Sequence, residues 1–297
     1  MYDVLIIGGG PAGMAAAIYA ARYKLKTAII SKMMGGAMTE ANIIENYPGY
    51  LKITGLELAT KMREQVENLK VPIIEEEVIR AEHLQGHFRI NQKHESKYLV
   101  LALGTERTKL NVMNEDRYIG RGLSYCATCD APFFKDKVVG VVGGRNSAVM
   151  AAELLTNYAK KVYVIYRGES LQAQPLQVER LLKNPKVKPI YACCVTHLEG
   201  EKMLSSVKLD TGAELELEGL FVEIGSTPST VIARELGVKL DEQGYIIVDQ
   251  KQRTNKEHIY AAGDITTNSA KWRQIIMACA EGSLAARSIY EAKKDAD

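Results

Sequence analysis

A strand, a glycine turn, a helix and a second strand open the chain, and the same order returns midway along it. The apolar run Val4 to Ile7 enters a turn at Gly8, Gly9 and Gly10, an Ala-rich stretch continues through Arg22, and a β-branched run follows at Thr27 to Ile30. That order reads as a βαβ unit. The second copy has a strand at Val138 to Val142, a turn at Gly143 to Asn146, a helix at Ser147 to Tyr158 and a strand at Lys161 to Tyr166. Further strand-like runs at Tyr98 to Ala102, Leu220 to Ile224, Tyr245 to Val248 and Ile259 to Ala262 fit parallel sheets fed by crossovers. The expected class is therefore α/β, with two Rossmann-like dinucleotide-binding domains. Turn formers and charges interrupt the apolar pattern at Asn111 to Gly120 and at Glu235 to Gln243. If both are crossings, the second unit is inserted into the first, giving residues 1–111 with 241–297 as one domain and 112–240 as the other. The charged stretch Glu201 to Glu218 reads as a solvated hairpin or meander.

Composition narrows the function classes. With 297 residues and 46% apolar side chains, two domains can each bury a core. A formal charge of +2, from 38 basic and 36 acidic residues, provides no basic stripe for a phosphate backbone, so nucleic acid is not an expected partner. The run Val4 to Ala21 is uncharged, but glycines and Pro11 break it, and it reads as strand, turn and helix rather than a membrane span. No cationic segment precedes it and no small-residue cleavage site is evident, so a cytoplasmic location is expected. Five cysteines are too few for a disulfide scaffold, and in a reducing compartment any functional disulfide should be redox-active.

Gly8, Gly10 and Gly13 form G-x-G-x-x-G directly after a strand and at the opening of a helix. Gly8 suits the tight turn, Gly10 the close approach of backbone to a pyrophosphate, and Gly13 the packing of helix on strand. The helix N-terminus then holds phosphates. The second strand should end in an acidic residue that binds ribose, but Ser31 and Lys32 stand there. A serine hydroxyl bonds ribose more weakly than a carboxylate does. Asp264, at the end of Ala261-Ala-Gly-Asp264, places a carboxylate at another strand end and is either a ligand for a sugar-like hydroxyl chain or a local cap.

Cys126 and Cys129 flank Ala127-Thr128 and precede Asp130. Cysteines at i and i+3 at a helix start can close a disulfide and exchange it, because the helix N-terminus favours a thiolate. Asp130 either handles the proton that an attacking or leaving thiol requires or serves only the helix dipole. Zinc would require a second pair or nearby histidines, and neither is apparent, so no metal site is expected. Cys193, Cys194 and Cys279 read as buried small apolar residues.

Together these motifs resemble the low-molecular-weight thioredoxin reductases, from Val4 to about Tyr290. Gly8-Gly-Gly-Pro-Ala-Gly13, Glu45-Asn-Tyr-Pro-Gly49, Ser124-Tyr-Cys-Ala-Thr-Cys-Asp-Ala-Pro-Phe-Phe134, Ala261-Ala-Gly-Asp264 and Arg273-Gln274 stand in that family's order and spacing. The resemblance implies an FAD domain built from both chain ends, an inserted pyridine-nucleotide-type domain carrying the cysteines, and a homodimer. It implies that Cys129 faces the flavin, that Cys126 attacks a thioredoxin disulfide, and that Asp130 is the acid-base partner. The inserted domain is then expected to rotate between two positions. FAD contacts are expected from Gly8, Gly10, Pro11, Ala12, Gly13, Ser31, Asn46, Gly104, Gly263, Asp264, Arg273 and Gln274.

The second turn departs from that pattern. It reads Gly143-Gly144-Arg145-Asn146-Ser147-Ala148 where the family has three glycines and an acidic residue, so Arg145 obstructs the closest approach of backbone to a pyrophosphate. Where NADPH enzymes of the family carry His-Arg-Arg and a further Arg, this chain has Tyr166-Arg167-Gly168 and Gln172. Each lost guanidinium removes charge-assisted bonds of roughly 1.5 to 3 kcal/mol. Gly143, Arg145, Asn146, Ser147 and Arg167 remain as nucleotide-site candidates. The expected result is weak NADPH use, with NADH, a reduced deazaflavin coenzyme or ferredoxin as other donors. Compensation by Arg145, Arg167 and nearby lysines is the alternative. Archaeal relatives that take electrons from a deazaflavin look similar in Asn114-Glu-Asp-Arg-Tyr-Ile-Gly-Arg-Gly122 and in the altered turn. Two other functions use the same motifs: a dithiol oxidase that passes electrons from a small dithiol through FAD to oxygen, and a non-catalytic FAD-bound scaffold.

Overall fold

The computed structural model describes residues 1–41, 44–268 and 272–296. The chain divides into two compact units, Met1–Glu106 with Thr227–Asp297, and Arg107–Ser226. Each has its own sheet and buried clusters.

The first unit opens with β1 (Tyr2–Gly9), α1 (Pro11–Arg22) and β2 (Thr27–Met34), followed by α2 (Gly55–Asn68) and β3 (Ile73–Ile74). The antiparallel strands β4 (Ala81–Leu84), β5 (His87–Ile90) and β6 (His94–Leu101) complete its first segment. The sheet runs β3-β2-β1-β6-β5-β4, with β1 parallel to both β2 and β6. Val4 to Ile7 are buried on both faces, which explains a continuous apolar run where an exposed sheet would alternate. Val4 and Ile6 pack toward α1 and α2, while Leu5 and Ile7 pack with Phe88 and Ile90 on the opposite side. At α2, Thr54 and Glu57 form a reciprocal capping box, so the helix start satisfies its own backbone donors.

The chain passes between the units in two short strands, β7 (Thr105–Arg107) on the way in and, further on, a second that pairs with it. Within the second unit come α3 (Glu115–Tyr118), β8 (Leu123–Ser124), α4 (Ala127–Asp130), β9 (Val138–Val142), α5 (Asn146–Leu155), β10 (Lys161–Ile165), α6 (Pro175–Leu182) and β11 (Val187–Ile190). An antiparallel meander follows, β12 (Val195–Glu199), β13 (Ser206–Leu209) and β14 (Glu214–Glu216), and then β15 (Gly219–Val222). The parallel sheet has the order β11-β10-β9-β15-β8. The charged stretch before β15 does form a hairpin, yet one side of it is core, because Leu204, Val207, Leu209 and Leu217 are buried.

The return strand β16 (Ser226–Pro228) leads into α7 (Val231–Glu235), β17 (Ile259–Ala261) and the long α8 (Ile275–Ala296). Here three sequence expectations need correction. The crossing back into the first unit precedes Glu235 to Gln243: Ile232, Ala233, Leu236 and Val238 sit in a buried cluster with Leu5, Ile7 and Leu99. Likewise the inward crossing falls at Arg107 rather than 112, because Glu115 accepts hydrogen bonds from the Leu110 and Asn111 N–H groups and Leu110 packs in the second unit. Charge and turn formers mark surface loops, and only packing marks which core a loop belongs to. Tyr245 to Val248 is no strand either; Ile246 makes only isolated bridges, to Leu240 and Thr266.

Candidate functional site

At the first glycine turn, Gly8 lies at φ +113, and a Cβ there would stand 2.2 Å from the Ala102 carbonyl oxygen. A Cβ on Gly13 would stand 1.9 Å from the Gly8 oxygen. Both positions exclude any larger residue, so strand and helix close on each other. Gly10 is different: a Cβ there meets nothing within 4 Å. The backbone at the start of α1 is thus open, with Pro11 as the first helical residue, which is what a pyrophosphate needs in order to approach the helix N-terminus.

Several remote segments converge on that end of α1. Gly263, at φ +84, lies so close that its Cβ would stand 2.8 Å from the Ala12 Cβ. Asp264 follows and lines a shallow cavity with Gly263, Trp272, Arg273, Ala278 and Glu281. Removal from water pushes the Asp264 carboxyl above its ordinary range; Glu281 adds to the rise and Arg273 opposes it. The Arg273 Nε donates to the Asp264 carbonyl oxygen at 3.5 Å, and the guanidinium lies 4.4 Å from the centre of the Tyr245 ring. Asn46 Nδ2 donates to Gln274 Oε1 at 2.9 Å. Gly104 lies at φ +66, and a Cβ on it would meet nothing within 4 Å. The open Gly10 backbone and helix start, together with the Asp264 carboxylate that follows Gly263 and the Arg273 guanidinium near it, fit an FAD.

Ser31 is less committed to a ligand than its position suggests. β2 continues past it to Met34 through an irregular register, and the Ser31 hydroxyl donates to the Met33 carbonyl at 2.8 Å. Only its lone pairs remain for a sugar hydroxyl.

In the second unit, Cys126 and Cys129 are joined, with an S–S distance of 2.07 Å and Cα atoms 5.3 Å apart. Cys126 caps α4, and its Sγ accepts the Cys129 N–H at 3.2 Å. That donor stabilises negative charge on Cys126 when the disulfide opens. Asp130 accepts a 2.7 Å hydrogen bond from the Ser124 hydroxyl, and the same hydroxyl oxygen accepts the Cys126 N–H at 3.0 Å. Ser124 is buried; it opens the cysteine motif two residues before the first cysteine, and its role is not evident from the sequence pattern. It fixes the carboxylate beside the exchange pair. Of the remaining cysteines, Cys193 is buried and Cys279 partly so, but Cys194 is exposed, contrary to expectation. Neighbours on an extended backbone point to opposite sides, so an adjacent pair rarely shares one core. Among the described residues no group of three or more His, Cys, Asp or Glu side chains is placed to hold a metal ion.

The second glycine turn is built like the first and filled differently. Gly143, at φ +139, faces the Glu223 carbonyl, where a Cβ would stand at 2.3 Å. A Cβ on Gly144 would strike the Tyr166 ring at 2.4 Å, and one on Gly168 would strike it at 2.6 Å. The ring therefore lies against both glycines. Gln172 N–H donates to the Gly144 oxygen at 2.6 Å, and Gln174 N–H donates to Asn146 Oδ1 at 3.0 Å, so Gln172 to Gln174 is folded against the start of α5. Arg145, Ser147 and Arg167 are exposed. These residues carry one guanidinium at the strand end and another at the turn, a sparse set for a 2′-phosphate.

Two further residues of the first unit were not foreseen. Glu281 is 6% exposed and lies on α8, and its neighbour Gly282 touches α1 so closely that a Cβ would stand 2.0 Å from the Ala12 oxygen. A signal existed: Glu281 is the only charge between Ile275 and Ala286. A carboxylate on so apolar a helix face calls for a buried partner.

Comparison with known proteins agrees with this geometry. A family model described as pyridine nucleotide-disulphide oxidoreductase matches residues 2–282. The chain is 38% identical to the thioredoxin reductase of Listeria innocua serovar 6a, over 97% of its own length and 92% of that protein. Its structure is similar to the crystal structure of Lactococcus lactis thioredoxin reductase, with a TM-score of 0.95, 36% identity and coverage of 99% and 100%. Similarity to T. acidophilum thioredoxin reductase gives a TM-score of 0.93 and 37% identity, with 99% of each chain covered.

Proposed function

The chain belongs to the pyridine nucleotide-disulphide oxidoreductases, in their low-molecular-weight thioredoxin reductase branch, and from that premise we propose that it reduces thioredoxin by exchange at Cys126–Cys129, with FAD held in the first unit. The observation that carries this reading is the closed disulfide at the start of α4 with Asp130 anchored beside it through Ser124.

Gly8, Gly10, Pro11, Ala12 and Gly13 would hold the FAD pyrophosphate, and Asp264, Arg273, Asn46 and Gln274 would hold its remaining polar groups, with Gly104, Gly263 and Ser31 at the rim. Bound there and reduced by the donor, FAD would supply the two electrons that open the disulfide. The protein's own residues then perform the exchange. Cys126, stabilised as thiolate by the Cys129 N–H, attacks one sulfur of the thioredoxin disulfide; that S–S bond breaks and the departing thiolate takes a proton. Asp130 is the group placed to exchange that proton. Cys129 then attacks Cys126 in the mixed disulfide and releases thioredoxin as a dithiol. Two electrons and two protons have passed, and Cys126–Cys129 is oxidised again.

The Arg145 turn, the Tyr166 ring against Gly144 and the solitary Arg167 support a donor other than NADPH. NADH, a reduced deazaflavin coenzyme and ferredoxin are the candidates. Anaerobic mixing of the holoenzyme with each donor, watched through bleaching of flavin absorbance, decides among them, and rapid bleaching by micromolar NADPH overturns the NADPH-poor reading. Thioredoxin-dependent reduction of insulin, once a donor is found, tests the function itself. We further place the enzyme in the cytoplasm as a homodimer, the first supported by chemistry that runs against a reduced thiol pool and the second checked by light scattering. No helix among the described residues is long and apolar enough to cross a membrane.

A further inference from the structure

Asp264 sits on a turn between β17 and the segment that leads into α8. The turn is closed locally by the Thr266 N–H, which donates to the Gly263 oxygen at 2.9 Å, and its conformation at Gly263 has a positive φ of 84°. Neither feature determines where the turn lies relative to α1.

A backbone bridge to Ile246 holds the far side of the turn, and one buried atom ties both of its ends to α8. Glu281 Oε2 accepts the Gly263 N–H at 2.8 Å and the Thr266 hydroxyl at 2.9 Å, so both ends of the turn bind one carboxylate oxygen. Glu281 is carried by α8, and the adjacent Gly282 lets α8 lie directly on the Ala12 carbonyl of α1. The chain of contacts is therefore complete: α1 to Gly282, Gly282 to Glu281, and Glu281 to both ends of the turn that carries Asp264.

We propose that Glu281 is a positioning residue of the cofactor site, holding the Gly263–Thr266 turn so that Asp264 faces the N-terminal end of α1. The proposal rests on the FAD reading above and adds a residue that belongs to neither the glycine turn nor the disulfide. A buried donor left unpaired is costly. Removing the carboxylate leaves the Gly263 N–H without that acceptor and turns the Thr266 hydroxyl onto the Gly263 carbonyl 3.1 Å away, so the tie from the turn to α8 is lost, whereas Glu281→Gln keeps an acceptor oxygen at nearly the same place.

The test measures FAD release from the holoenzyme by the rise of flavin fluorescence on dilution, with visible circular dichroism of the bound flavin as a readout of its surroundings. Glu281→Ala is expected to weaken FAD binding about 10- to 100-fold and to change the visible dichroism, and Glu281→Gln to stay within about threefold of the parent. Thr266→Val, nearly equal in volume, removes one of the two donors and should weaken binding about 3- to 10-fold; it keeps the proposal testable if Glu281→Ala does not fold. Parent-like FAD binding and dichroism in Thr266→Val overturn the proposal, and so do equal losses in Glu281→Ala and Glu281→Gln. A parent chain that carries no flavin and takes none up is a different result, which overturns the FAD reading itself.

Discussion

At the start of α1 a side-chain carbon added to Gly10 meets nothing, whereas at the start of α5 the corresponding place is held by Arg145 and its neighbour Gly144 lies under the Tyr166 ring. Both turns keep the strict first glycine, with Gly8 and Gly143 pressed against a carbonyl of the neighbouring strand or loop. The backbone plan is shared, and what differs is the space left over it. Closing a strand onto a helix needs only the first and last small residues of the motif; binding a dinucleotide also needs the middle one to stay bare. The second unit retains the plan for its fold and carries the disulfide.

The sharpest way to break this contrast is at the disulfide, because exchange is assigned to the second unit alone. Cys129→Ser should lower thioredoxin reduction by more than about a thousandfold and leave flavin content unchanged; insulin-coupled turnover and the flavin spectrum measure the two effects. Next comes the turn itself. Gly10→Arg imposes the Arg145 arrangement on the first unit and should weaken FAD binding more than about a hundredfold without unfolding the chain, since the added atoms enter open space; flavin retention on gel filtration checks the first part and far-ultraviolet dichroism the second. The reverse change is smaller. Gln172→Arg together with Arg145→Gly should tighten NADPH binding about 10- to 100-fold, the value of one charge-assisted pair, as read by titration calorimetry.

Asp264 supplies a test by pH. Its carboxyl is raised above the ordinary value, first by loss of water, so protonation is favoured in the folded chain. The stability it contributes is full below the ordinary carboxylate value and is lost as pH rises through the raised one. Asp264→Asn should therefore raise the thermal midpoint of the cofactor-free chain at neutral pH while weakening FAD about tenfold. Thermal scans from pH 3 to 8 should show this gain vanish at the acid end. The smallest effect belongs to Ser31: with its hydroxyl donated to Met33, Ser31→Ala should change FAD affinity by less than about threefold, measured by the same fluorescence titration.

Some parts of this molecule are legible residue by residue and others are not. The Gly8–Gly13 turn and the Cys126–Cys129 pair can be read directly because their partners are near in sequence and their geometry follows from local spacing. The Asn46–Gln274 bond joins residues 228 apart, and the Gly263–Glu281 bond spans 18 residues and leaves one element for another. No periodicity encodes either. The unit boundary failed for a related reason: 227–240 carries turn formers and charges, but its apolar side chains fill the core of the first unit.

By itself, then, the order of residues determined two dinucleotide-type folds, the exchange pair and the missing arginines, since each depends on chemistry within one short stretch. Tertiary structure alone decided that Tyr166 covers the second turn, that Ser124 anchors Asp130 and that Glu281 carries the Asp264 turn. Those are choices about which buried polar group meets which donor, and a chain makes them only when its helices and strands have closed around the site.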